Sequence, residues 1–230
     1  MPTAAFTQPT LINPSFVQLN AECWCGITQV LVAESLATNK TPLAAQRLAV
    51  RALCQQLLMQ ITRNDAIDEG QFPYRLKQHG DYLCFTHSHD YVAVVLNASR
   101  PCSIDLELSE VRWQTVQRFY HSDELALLEG IAPDLRQVLC RYLWQIKECI
   151  VKIEQGQLIP TLGRSLAAYI PELLTILTPY SSQTAYPIPM TEASLIGENH
   201  SCIKLSLPMH VDNSDYYIYL SPYSRLVSVS

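Results

Sequence analysis

Apolar residues recur along the chain with two periods, and the changes between them divide it into elements. Residues 22–33, ECWCGITQVLVA, form a mostly apolar run that predicts a strand. Residues 41–61 carry Leu43, Leu48, Leu53, Leu57 and Ile61 at mostly helical spacing, with Thr41 suited to cap that helix and Pro42 to its first position. Residues 63–81 read as a polar loop. Two alternating segments follow, 82–88 and 91–97, joined near His89 and Asp90 as a hairpin. Residues 98–101, ASRP, make a second turn, and 102–108, CSIDLEL, a third strand, so an antiparallel meander is predicted. A second helical zone runs from about 111 to 153. In it Ser122, followed by acids, reads as a cap, and Pro133 starts a long helix. Residues 156–230 hold little charge and read as strands and loops, as in CIKLSLP and YYIYLSP. Helix, strands, helix, strands in that order predict an α+β fold with two sub-domains and a boundary near residue 109.

Composition narrows the picture. The chain has 230 residues, enough for a sizeable core, and 16% charged residues, an ordinary globular balance. A net charge of −5 leaves no global electrostatic footprint for nucleic acid. The most apolar stretch, 165–177, is interrupted by Pro171 and Glu172, so no membrane span is expected. The first residues show no base ahead of an apolar core, and a cytoplasmic location is expected. Of eight cysteines only Cys23 and Cys25 are near neighbours; zinc-type paired spacing is absent and buried free thiols are expected.

Candidate chemistry lies in four places. Side chains alternate along a strand, so Ile104, Leu106 and Leu108 share one face and Ser103, Asp105 and Glu107 the other. Two carboxylates so placed repel each other, and a hard divalent cation such as Mg2+ relieves the repulsion; the plain alternative is a solvated strand face. On the long helix, Leu135, Val138, Leu139, Tyr142, Leu143, Ile146, Ile150 and Ile153 form a stripe for burial. Arg141, Trp144, Glu148 and Lys152 form the opposite stripe. A solvated face would leave Trp144 uncovered, so this stripe is expected to meet another part of the protein or a ligand. His87 or His89 suits a metal or a phosphate, or is merely solvated. Arg47 and Arg51, one helical turn apart, suit a phosphate clamp or are two solvated bases. No Gly-x-Ser-x-Gly elbow or glycine-rich phosphate loop is present.

Taken in order, FTHSHDYVAVVLNASRPCSIDLE (85–107) and WQIKECIVK (144–152) resemble the 4'-phosphopantetheinyl transferases of the surfactin-synthetase-activating type. That family shows Ser-His-Ser, Gly-Ile-Asp-x-Glu and Trp-x-x-Lys-Glu-x-x-x-Lys elements at this spacing, and RLAVRAL (47–53) resembles its upstream arginine helix. Thr86 stands in place of the first serine and Ser103 in place of the glycine. Gln71 stands where a Gly-Lys-Pro loop often has its lysine, a base that Arg75 or Lys77 would have to supply. The resemblance implies two similar α/β halves related by a pseudo-twofold, 1–108 and 109–230, each a small, mostly antiparallel sheet on a long helix. The active site would lie in the cleft between them. It implies a monomer that moves the 4'-phosphopantetheine arm of coenzyme A onto a serine of an apo acyl or peptidyl carrier protein, releasing 3',5'-ADP, with Mg2+ or Mn2+. Asp105, Glu107 and Glu148 would hold the metal, and Glu148 and Lys152 would be catalytic. Arg47, Arg51, Thr86, His87, Ser88, Asp105, Lys147 and Lys152 would contact coenzyme A. Two other readings of the same residues are a Mg-dependent phosphohydrolase acting on a nucleotide and an inactive carrier-protein-binding homologue.

Overall fold

The computed structural model describes residues 9–31, 43–178, 207–211, 214–221 and 226–230. Mixed helices and antiparallel strands make an α+β fold of stacked layers. Six strands form the first sheet: β1 (Thr10–Asn20), β2 (Cys23–Leu31), β3 (Ile67–Asp68), β4 (Tyr74–Leu76), β5 (Tyr82–Ser88) and β6 (Tyr91–Asn97). Their order is β1-β2-β6-β5-β4-β3. The second sheet, in the order β7-β10-β9-β8, holds β7 (Ser103–Leu106), β8 (Leu207–Val211), β9 (Ser214–Ser221) and β10 (Leu226–Val229).

The helix α1 (Leu43–Gln60) covers one face of the first sheet. The expected stripe is only half right. Leu53 and Leu57 are buried, but Leu43 and Leu48 stand in solvent, and the rest of the seam is Ala45, Ala49, Val50 and Leu58. Small alanines let the helix approach Val92, Val94 and Leu96 of β6. Thr41 and Pro42, expected to start this helix, lie outside the described residues. The other face of the first sheet packs on the second sheet: Cys25, Cys84, Ala93 and Val95 meet Ile104, Leu106, Tyr219 and Leu226.

Beyond the second sheet lie α2 (Trp113–Phe119), α3 (Ser122–Glu129), α4 (Pro133–Glu154), α5 (Leu158–Leu162) and α6 (Ile170–Leu177). The middle of α4 is buried against Val227, Val229 and Ile218 of that sheet. Its predicted start at Pro133 is observed. Among the described residues no helix is long and apolar enough to cross a membrane. The seven described cysteines are buried and form no disulfide, as expected; Cys202 lies outside the described residues.

Several expectations are corrected. The hairpin β5–β6 forms, but no meander follows, because β6 already pairs with β2 on one edge and β5 on the other. The next strand, β7, therefore crosses to the second sheet and pairs with β10. Residues 63–81 are not all loop: β3 and β4 pair within them. The cap of α3 is His121 and not Ser122; the Asp123 amide donates to its Nδ1, and Glu124 accepts from its backbone amide.

Candidate active site

The edge of β5 shapes the candidate site. β4 has three residues and reaches only Tyr82 and Leu83 of β5, so the remainder of β5 lacks that neighbour. A cleft of about 450 Å3 opens there, walled by Arg47, Val50 and Arg51 of α1, by Phe72 and Tyr74, by Cys84, Phe85 and His87 of β5, and by Lys152 of α4. Tyr74 lies between Phe72 and Phe85, with ring centroids 5.5 Å from each. One wall is thus aromatic and the rest is largely basic. Partial burial first, and then the charges of Lys152 and Arg47, hold the His87 imidazole below its usual range.

The arginines differ. Arg51 grips Glu69 through both Nε and Nη2, and its Nη1 donates to the Arg47 carbonyl at 2.8 Å. That fork holds its pKa up, while burial opposes the rise. No ion pair engages Arg47 among the described residues. Arg75, one substitute for the missing loop lysine, donates to the Tyr82 hydroxyl at 2.7 Å and stacks on its ring.

Behind the cleft, β7 runs under α4 with Asp105 buried. Lys152 Nζ donates to Asp105 Oδ1 and to the Ile104 carbonyl, each at 2.9 Å. Burial opposes the Lys152 charge, but the Asp105 carboxylate outweighs it, and the ammonium is held above the usual lysine range. Gln145, fully buried, donates to the Asp105 carbonyl at 3.2 Å and steadies the strand. Trp144 Nε1 donates to Glu148 Oε1 at 2.9 Å, and the edge of Phe119 covers the indole. The expectation that the polar stripe of α4 meets another part of the protein therefore holds. The Glu148 carboxyl is pushed up to about 7, by burial first and then by the adjacent Asp105 charge; Lys152 and Trp144 pull it the other way.

Asp105, Glu148 and Lys152 are thus brought together. Glu107 is not: it lies past the end of β7 and accepts from the Ser109 amide at 2.7 Å. Among the described residues no group of three or more His, Cys, Asp or Glu side chains is arranged to hold a metal. The Asp105–Glu148 pair nonetheless suits a hard divalent cation, which readily takes one or two carboxylates and completes its shell with phosphate and water. Its donors are oxygens, and a cation would relieve the repulsion that disfavours the Glu148 charge.

Two hydroxyls expected to hold phosphate are used inside the fold: Thr86 Oγ1 accepts from the Leu106 amide at 3.4 Å, and Ser88 Oγ from the Leu108 amide at 3.2 Å. Lys147 is a correction. It points away from the cleft and is buried, donating to Glu124 Oε2 and to the Leu162 carbonyl, both at 2.6 Å. The Tyr120 ring lies 4.3 Å from its ammonium.

The aromatic wall was missed in the sequence because Phe72 and Tyr74 sit in a stretch read as polar loop. Two aromatics within three residues of such a stretch were the available signal. The chain matches no known family model and no curated protein.

Proposed function

We propose that this protein transfers the 4'-phosphopantetheine arm of coenzyme A to a serine of an apo acyl or peptidyl carrier protein, releasing 3',5'-ADP. The observation that carries the reading is the joining of Asp105, Glu148 and Lys152 at the back of a cleft with basic and aromatic walls. Arg47, His87 and Lys152 supply positive charge to pyrophosphate and nucleotide phosphate, and Phe72, Tyr74 and Phe85 offer flat faces to an adenine. Glu148, whose charge a cation beside Asp105 would favour, is placed to take the serine proton, directly or through water. The serine oxygen then bonds to the phosphorus that bears pantetheine. The bond from that phosphorus to the bridging oxygen breaks, and Lys152 neutralises the departing phosphate. A Mg2+ or Mn2+ ion held by Asp105 and Glu148 would neutralise pyrophosphate charge. The reading also carries two halves of like plan, each an antiparallel sheet backed by a long helix, with the site between them.

Incubation with coenzyme A, Mg2+ and a panel of apo-carriers, followed by intact-mass measurement, tests this. A carrier that gains the phosphopantetheine mass, with one 3',5'-ADP released per transfer, is expected. Hydrolysis of the nucleotide with every carrier unmodified would replace the proposal by the phosphohydrolase reading.

A further inference from the structure

Lys152 belongs to two environments at once. Its side chain walls the basic cleft with Arg47, Arg51 and His87, while its ammonium rests 2.9 Å from Asp105 Oδ1. The pair is mostly sheltered, with side-chain exposures of 26% for Lys152 and 8% for Asp105. A lysine ammonium and a divalent cation compete for the same carboxylate oxygen, and at this range they repel each other strongly. Four flexible methylenes let the ammonium move between acceptors, so an anion in the cleft offers it a second partner.

We infer that Lys152 couples cation binding to anion binding: it occupies Asp105 while the cleft is empty and releases that carboxylate when a phosphate anion draws it away. This rests on the metal and coenzyme A assignment proposed above. The cation alone then binds weakly, because it must displace an ammonium from Asp105. The anion alone also binds below its potential, because Lys152 must leave an ion pair and the Ile104 carbonyl to reach it. Together each removes the other's cost. Reciprocity requires that coenzyme A tighten the metal by the same factor by which the metal tightens coenzyme A.

Calorimetric titration of the intact protein with Mn2+, with and without saturating coenzyme A and corrected for Mn2+ held by coenzyme A in solution, tests the inference. In the wild-type chain coenzyme A should tighten Mn2+ by about tenfold or more, within the usual span of such couplings. Lys152→Met should bind Mn2+ alone more tightly than wild type and lose most of the enhancement. Lys152→Gln, which keeps a donor for the Ile104 carbonyl but no charge, should behave the same way and guards against a folding defect in the first variant. If both folded variants bind Mn2+ alone no better than wild type, while wild type binds Mn2+ and coenzyme A, the coupling role of Lys152 is overturned and the transferase reading stands. If wild type binds neither ligand, the transferase reading falls with it.

Discussion

Two lysines five residues apart on α4 have opposite fates. Lys152 reaches the cleft, whereas Lys147 closes a buried pair with Glu124. Burial holds the Lys147 ammonium below its usual range, and the Glu124 charge offsets part of that. Lys147→Met should destabilise the fold by about 3–5 kcal/mol, because Glu124 keeps a buried charge without its partner; urea unfolding measures it, and adding Glu124→Gln should recover part of the loss. In the cleft, Arg47→Ala should cost about 1.5–3 kcal/mol of coenzyme A affinity. Arg51→Ala should cost less, since Arg51 must first release Glu69; calorimetric titration compares the two. Burial works to raise the Asp65 carboxyl, but Asp65 accepts from His79 and from the Ala66, Gln78 and His79 amides, and these together outweigh it and hold the carboxyl at about 2. Its contribution is therefore complete above about pH 4, the ordinary carboxyl range, and is lost as pH falls towards about 2. Asp65→Asn should cost about 1 kcal/mol at pH 6, reduced by solvent screening. The gap from wild type should narrow in unfolding curves taken from about pH 4 to about pH 2.5, because there the unfolded-state carboxyl takes up its proton while the folded one still holds its charge. The cluster of Asp105, Glu148 and Lys152 was legible in the sequence because motif spacing and helix periodicity place it. The fate of Lys147 was not, because Glu124 and the Leu162 carbonyl lie 23 and 15 residues away and only tertiary packing brings them together.

Whole elements were legible where one period and its own turn set them. The hairpin of β5 and β6 needs only alternation and the His89–Asp90 turn, where His89 takes a positive φ of 55°. The placement of β7 was hidden, because alternation does not reveal whether a neighbouring edge is already taken. β2 shows a further constraint: a Cβ on Gly26 would lie 2.9 Å from two atoms of the Phe16 ring and 3.3 Å from Val94 Cγ1. Gly26→Ala should therefore cost about 1–3 kcal/mol by overpacking. Thermal melts of Gly26→Ala with and without Phe16→Leu check the cause, since a smaller side chain at position 16 should return part of the loss.

At the scale of the molecule, the site depends on a pairing that spans most of the chain. Asp105 lies opposite Val227 in the ladder of β7 and β10, and Val227 is fully buried beneath α4. Val227→Ala should lower stability by about 2 kcal/mol, and native-state hydrogen exchange should show Ser103–Leu106 and α4 opening more readily together. The sequence predicted a strand over 102–108 and, without singling out 226–229, strands and loops over 156–230; it could not pair the two, because so distant a contact leaves no local signature. The same pairing bears on how the protein comes into being. Synthesis runs from the amino end, so residues 103–106 and all of α4 leave the ribosome well before residues 226–229 have been made. A nascent chain of that length carries Asp105, Glu148 and Lys152 but lacks the strand that fixes Asp105 in place, so under the proposed reading any grip on metal and phosphate would wait until β10 emerges and closes the ladder.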